Sequence, residues 1–99
     1  MQALAQIERI QRFTKDIEQA AAVGEWERAA QLASERSPLL MALSAQQSAD
    51  ALAMLREIQA IDLRIAQAAQ AAQESLSAEY RTAMQATSNA NQYQRIAQF

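Results

Sequence analysis

Apolar residues recur every three or four positions at the start of the chain, which is the spacing of one face of an α-helix. They are Leu4, Ile7, Ile10, Phe13 or Thr14, Ile17 and Ala21. The opposite face is charged and includes a basic stripe of Arg9, Arg12 and Lys15. This stripe is either a solvated, self-paired face or a docking patch for an acidic partner. The pattern predicts a first helix over residues 2–23.

The chain has a single glycine, Gly24, which we expect to end the first helix because the position after a helix C-terminus favours positive φ. A second helix is predicted over residues 25–46, since Glu25 and Glu27 place negative charge in its first turn. So short a connection makes the second helix antiparallel to the first. Trp26 lies at this corner and is either a structural anchor or an aromatic residue that contacts a partner.

The chain has a single proline, Pro38, which follows Ser37 inside the second helical pattern. Two structures are compatible with it: a kink inside one long helix, or a break with Ser37 as N-cap and Pro38 at the first position of a new helix. The apolar run at residues 39–43 is either covered by both neighbouring helices or left available to a partner on one side. Gly24, Trp26 and Pro38 are the predicted structural anchors.

A third helix is predicted over residues 48–86, with Ser48 as its N-cap and no glycine or proline inside it. Its length would be about 58 Å, against about 30 Å for each of the first two helices. About half of it therefore lacks a covering helix within the bundle. Residues 87–99 are predicted to form a short amphipathic tail, in which Tyr93, Ile96 and Phe99 fall at three-residue steps.

Residues 65–73 carry no charge and repeat glutamine at every third position between small residues. This segment either packs tightly on another helix or forms the floor of a groove for an incoming amphipathic helix. Leucine, tyrosine and methionine residues continue the same surface toward the tail. The groove hypothesis assigns partner binding to Ile65, Ala68, Ala69, Ala72, Leu76, Tyr80, Met84, Tyr93 and Ile96.

The length of 99 residues and an apolar fraction of 51% predict one small domain. The fold is expected to be all-α, an antiparallel three-helix bundle with a long third helix and a short C-terminal helical tail. Such a domain is marginally stable, and a partner that covers more apolar surface would stabilise it.

The composition argues against several classes of function. Cysteine and histidine are absent, so disulfides, the common catalytic side chains and the usual transition-metal ligands are missing. We expect no catalytic residues, metal or cofactor. A net charge of −2 argues against nucleic-acid binding. No apolar run reaches the ~18 residues of a membrane span, and the first residues lack signal-peptide character, so we expect a cytoplasmic protein that does not bind membranes.

The block Val23-Gly24-Glu25-Trp26-Glu27, followed by Leu32, Glu35-Arg36 and residues 39–43, resembles the corner between the first two helices of the FliT family of flagellar export chaperones. The tail is similar to that family in Asn91, Tyr93-Gln94-Arg95 and Ile96. Length, helix order and the lack of cysteine and histidine agree with the family over almost the whole chain.

The resemblance implies a cytoplasmic chaperone that binds the C-terminal helical region of the filament-capping protein. It also implies delivery of this client to the flagellar type III export gate and ATPase complex. In some bacteria such proteins restrain the flagellar master transcription regulator, which is therefore a further implied partner. Some members carry a longer C-terminal segment whose helix covers the binding surface; in this chain we expect that helix to be shortened or missing.

Two classes without an export client stay open from the sequence. One is a structural helical bundle or dimeric coiled-coil-like adaptor, in which a second copy buries the excess length of the third helix. The other is a single repeat-like helical hairpin, although no second copy follows at the ~34-residue period of tetratricopeptide repeats. The sequence is compatible with a monomer and with a homodimer.

Overall fold

The computed structural model describes the backbone of residues 2–97 and the side chains of residues 4–87. It contains three helices, α1 (Gln2–Ala22), α2 (Trp26–Met41) and α3 (Ala49–Ala97), and no strand over the described backbone. The predicted all-α fold with a long third helix is confirmed. The chain divides into two compact units, Met1–Ala69 and Gln70–Phe99, and α3 contributes to both. That the chain is one domain stays a prediction.

α1 ends at the predicted glycine corner. Gly24 has a φ of +76°, a conformation that glycine adopts without the steric penalty of a Cβ. The N–H of Gly24 donates to the carbonyl oxygen of Ala21 (3.1 Å), and the N–H of Glu25 donates to that of Ala20 (2.9 Å). This pair of bonds is a Schellman motif, which satisfies two carbonyl groups at the helix end. The chain is thereby free to reverse direction and begin α2 at Trp26.

α2 passes through Pro38 without interruption, so the alternative in which Ser37 caps a new helix is wrong. Proline inside a helix costs about 3 kcal/mol, because it lacks an N–H and its ring crowds the preceding turn. Packing holds α2 on both sides of this residue. Leu32 precedes it and packs against one cluster of buried residues, and Leu40 follows it and packs against another. Tertiary contacts therefore outweigh the local penalty.

α2 ends at Met41, five residues before the predicted end. The residues that follow are held by local side-chain hydrogen bonds instead of the helical ladder. The hydroxyl of Ser44 donates to the carbonyl oxygen of Gln46 (2.8 Å), and the side-chain amide of Gln47 donates to the carbonyl oxygen of Ser44 (2.9 Å). Such bonds compete with helix formation. The helical spacing of residues 42–46 gave no sign of this competition.

α3 begins at its predicted cap, because the hydroxyl of Ser48 accepts a hydrogen bond from the N–H of Ala51 (3.1 Å). It continues to Ala97, so the prediction of a helix end near residue 86 and a separate tail over 87–99 is wrong for the described backbone. The serine, threonine and asparagine residues of that segment cost at most about 0.7 kcal/mol each relative to alanine. Without a glycine or proline, that penalty is too small to end the helix.

In the first unit, the three helices pack around two clusters of buried residues. The first cluster comprises Ile7, Ile10, Ala51 and Ile58, with Leu39, Leu40, Leu43, Met54 and Leu55 packed against it. The second comprises Ile17, Ala20 and Ala29, with Trp26, Leu32, Ala33 and Ile65 packed against it. The start of α1 thus meets the end of α2 and the start of α3. α2 is therefore antiparallel to both neighbours, whereas α1 and α3 run parallel.

Two polar contacts give the register between α1 and α3. The amide of Gln11 donates to Glu57 Oε2 (3.1 Å), and Arg64 Nε donates to Glu18 Oε2 (2.9 Å). The partners are 46 positions apart in both pairs, and the pairs are one heptad apart along each helix. This constant offset determines which α1 side chains lie beside α3 in the first unit.

A polar triad of Thr14, Arg36 and Asp62 connects all three helices. Arg36 Nη1 donates to Thr14 Oγ1 (2.9 Å) and to Asp62 Oδ1 (2.8 Å). The fully buried Thr14 hydroxyl donates in turn to the carbonyl oxygen of Ile10 (2.7 Å). The Arg36 side chain is 13% exposed and that of Asp62 is 38% exposed. Arg36 Nε is buried and has no hydrogen-bond partner within the described part of the chain.

Candidate partner-binding surfaces

All nine predicted partner-binding residues lie on α3, but they fall in both units. Those of the first unit are Ile65, Ala68 and Ala69, and those of the second whose side chains are described are Ala72, Leu76, Tyr80 and Met84. Tyr93 and Ile96 lie outside the residues whose side chains are described.

In the first unit, an open cleft of about 450 Å³ lies between the C-terminal turns of α1 and the facing turns of α3. We call it the α1–α3 cleft. Its apolar floor consists of Ala21, Ala22, Ile65 and Ala68. Ile65 is half-buried against the second core cluster, whereas Ala22 and Ala68 are exposed. Alanine side chains end at Cβ, so a helix can approach this floor closely. The exposed Ala69 is not part of the lining.

The rim of the α1–α3 cleft is charged and carries Lys15, Glu18 and Arg64. The Glu18 carboxylate accepts two hydrogen bonds from the Arg64 guanidinium, at 2.9 Å from Nε and 3.4 Å from Nη2. This hydrogen bonding, followed by charge attraction from Glu18, raises the pKa of Arg64. In contrast, none of the carboxylates in the described residues forms an ion pair with Lys15. The rim thus combines a neutralised arginine with a lysine whose charge is not balanced there.

In the second unit, Leu76, Tyr80 and Met84 follow each other at four-residue steps and lie on one side of α3. Their exposed fractions are 67%, 65% and 51%. We call these three residues the α3 face. Leu76 and Tyr80, together with Ser77 and Arg81, line an open cleft of about 460 Å³. Large apolar side chains grouped on an exposed surface are typical of sites that meet another protein.

The three predicted anchors lie in different surroundings. Gly24 occupies the corner described above, and Trp26 is half-buried against the second core cluster, which is the contact expected of a structural anchor. Pro38 is exposed. The nearby apolar run at 39–43 is mostly covered, since its three leucines pack against the first cluster, but Met41 is 85% exposed.

The α1 side of the α1–α3 cleft is not predicted by the helical spacing of the sequence. Glu18 and Ala22 carry no binding signal there, and Lys15 stands out only as part of the basic stripe. Arg64 on α3 was also missed. The signal that could have found them is the repeated separation of 46 positions in Gln11–Glu57 and Glu18–Arg64, but it becomes meaningful only once α1 and α3 are known to be parallel.

The described residues contain neither a group of metal ligands nor a helix that could span a membrane. Among the described residues, no three histidine, cysteine, aspartate or glutamate side chains are grouped so that they could hold a metal ion. Over the same residues, no helix combines the length and apolar character that crossing a bilayer requires.

Comparison with known proteins gives one result for nearly the whole chain. The family model described as flagellar protein FliT matches residues 4–95. No curated protein and no solved structure gives a significant match. The matched segment includes the glycine corner, both core clusters, the α1–α3 cleft and the α3 face. The protein therefore belongs to the FliT family, which is a family of flagellar proteins and not of enzymes.

Proposed function

We propose that this protein is a cytoplasmic flagellar export chaperone. Its client is the C-terminal helical region of the filament-capping protein, which it delivers to the type III export gate and ATPase complex. The proposal is supported by membership of the FliT family and by one observation, the exposure of Leu76, Tyr80 and Met84 on one side of α3. A flagellar transcription regulator is a further proposed partner, supported by the family resemblance.

The α3 face suits an amphipathic helix from the client. Burying one large apolar side chain completely contributes about 1.5–3 kcal/mol, and each residue of this face has half or more of its surface still to bury. A micromolar complex needs about 8 kcal/mol after the costs of association, so this face supplies part of the affinity. Methionine adapts to a partner of irregular shape, and tyrosine adds a large apolar ring with a hydroxyl that can form a hydrogen bond. The α1–α3 cleft is proposed as a second, separate contact surface.

A charge introduced on the α3 face tests whether the client binds there. Leu76→Glu should abolish detectable binding of the capping protein's C-terminal segment, because a carboxylate would be buried against the client's apolar side. Ala69→Glu should have the same effect if the neighbouring alanine segment also contacts the client. Both side chains are exposed, so helical circular dichroism and the thermal unfolding midpoint should stay close to those of the wild type. Isothermal titration calorimetry measures the binding.

Leu63→Glu is the matched control. Leu63 is also a leucine on α3, it is 60% exposed, and it lies outside the predicted binding residues. Its replacement should change affinity by no more than about twofold, since surface substitutions away from a contact have small effects. A wild-type protein that recovers no capping-protein segment at micromolar concentration would contradict the chaperone proposal.

The same variants address the alternative of a structural bundle or dimeric adaptor. If a second copy covers the α3 face, Leu76→Glu should convert a homodimer into a monomer and lower the stability. Multi-angle light scattering of the wild type and the variant separates the two cases. A monomeric wild type with unchanged stability in the variant supports the chaperone.

A further inference from the structure

The α1–α3 cleft carries an unbalanced positive charge beside an apolar floor. Glu18 is occupied by the two hydrogen bonds from Arg64, so it is not free to neutralise a second cation. Lys15 lies one helical turn before Glu18 on the same rim and pairs with no carboxylate of the described residues. A ligand that packs on the apolar floor can therefore neutralise the charge of Lys15.

This combination favours one kind of occupant. The apolar floor of the cleft is open and admits the apolar side of a helix. A carboxylate next to that apolar anchor would reach the Lys15 ammonium, and the arriving helix would exclude water and strengthen the interaction. A basic client residue at that position would be repelled by Lys15, because no free carboxylate of the cleft would neutralise it. Nucleic acid is a poor alternative because the chain carries a net charge of −2.

We infer that the α1–α3 cleft binds a helical segment of the client that carries an aspartate or glutamate beside its apolar anchor, and that Lys15 receives this carboxylate. The inference rests on the proposed function, because the occupant is a segment of the chaperone's client. It assigns a role to the basic residue of α1 that lines the cleft, and it separates Lys15 from Arg9 and Arg12 of the same stripe, neither of which lines the cleft.

The test uses the full chain and the C-terminal helical segment of the capping protein from the same bacterium. Lys15→Gln should weaken binding about fivefold, and Lys15→Glu about tenfold or more, as expected for a charge pair that the complex partly shields from water. The dependence of the dissociation constant on salt concentration should become shallower in Lys15→Gln. Arg12→Gln and Arg12→Glu are the matched controls, since they make the same charge changes one turn earlier on the exposed side of α1.

A double-mutant cycle identifies the client residue. Each aspartate and glutamate of the segment is replaced by its amide, and one of these replacements should weaken binding to the wild type but not to Lys15→Gln. Equal effects of the Lys15 and Arg12 substitutions would overturn the inference, because they would show a response to overall charge alone. Wild-type affinity in the Lys15→Glu variant would also overturn the inference.

The outcomes separate this inference from the proposed function. If the wild type binds the segment and the Lys15 variants bind equally well, only the role of Lys15 is refuted. If the wild type binds nothing, the client proposal and the inference are both refuted. If light scattering instead shows a homodimer that Lys15→Glu dissociates, the occupant of the cleft is a second copy of this chain, and the inference is wrong.

Discussion

The polar triad illustrates how unequal burial of two charged residues sets the cost of removing either one. The Arg36 side chain is 13% exposed, whereas that of Asp62 is 38% exposed. Without Arg36, Asp62 can be hydrated, and Thr14 keeps its hydrogen bond to the carbonyl of Ile10. Without Asp62, a mostly buried guanidinium keeps a single partner, Thr14, and its Nε has none in the described structure. The arginine therefore depends on the aspartate more than the reverse.

Asp62→Ala should therefore destabilise the protein more than Arg36→Met. We expect a loss of about 2–4 kcal/mol in the free energy of unfolding for the first and of about 0–2 kcal/mol for the second. Equilibrium urea unfolding, followed by the fluorescence of Trp26, measures both. The double variant Arg36→Met with Asp62→Leu serves as the control and should lie within about 1 kcal/mol of the wild type, because it leaves no unpaired charge. The opposite order of the single variants would contradict this account.

At the scale of a helix, α2 is held in place against its own sequence. Pro38 removes the hydrogen bond to the carbonyl of Ser34, yet α2 continues because Leu32 and Leu40 are both packed against the core. The free-energy cost of Pro38 inside the helix is thus offset by packing. Pro38 itself is exposed, so replacing it leaves no cavity.

Pro38→Ala should raise the stability of the protein. The gain from helix propensity and the restored hydrogen bond is about 3 kcal/mol, reduced by about 0.4–1 kcal/mol because alanine gives the unfolded chain more freedom. A net gain of about 2–2.6 kcal/mol corresponds to a rise of roughly 8–21 °C in Tm for a domain of this size, measured by circular dichroism. Ser37→Ala, at the adjacent exposed position, is the control and should change Tm only slightly. A lower Tm for Pro38→Ala would show that the proline conformation is itself needed.

Features of the fold that depend on a few neighbouring residues were predictable, and those that depend on packing were not. Gly24 and Ser48 were assigned correctly because positive φ and an N-cap hydroxyl are local requirements. Whether Pro38 breaks α2 could not be decided locally, because the answer lies in leucine contacts with other helices. The continuation of α3 to Ala97 was missed because several small propensity penalties were given too much weight.

In the candidate site, too, the features set by neighbouring residues were predictable and those set by packing were not. Helical spacing was enough to place Leu76, Tyr80 and Met84 on one side of α3, and their exposure agrees with a surface free to meet a partner. The cleft in the first unit needed Lys15 and Glu18 from α1 beside Ile65 from α3, residues about 50 positions apart. Their meeting depends on the parallel register of the two helices, which no short stretch of the sequence encodes.

At the scale of the whole molecule, the two units differ in how their residues are buried. Both core clusters lie in the first unit and reach no further along the chain than Ile65. From residue 70 to residue 87, every described side chain is exposed except that of Ala72, which is half-buried. Stability that comes from core packing is therefore concentrated in Met1–Ala69, while residues 70–87 of α3 depend on the hydrogen bonds of the helix itself and on their alanine-rich composition.

Amide hydrogen exchange should reveal this difference within α3. Backbone amides near Ile58 and Ile61, which are 3% exposed, should exchange at least about tenfold more slowly than those at residues 74–86, because the latter open without disrupting a core. Mass spectrometry of the free protein over a range of dilutions measures both segments. Addition of the capping-protein segment should slow exchange at residues 74–86 in the wild type but not in Leu76→Glu. Equal protection of both segments at every dilution of the free protein would mean that packing already covers the α3 face, and it would leave the client no free surface there.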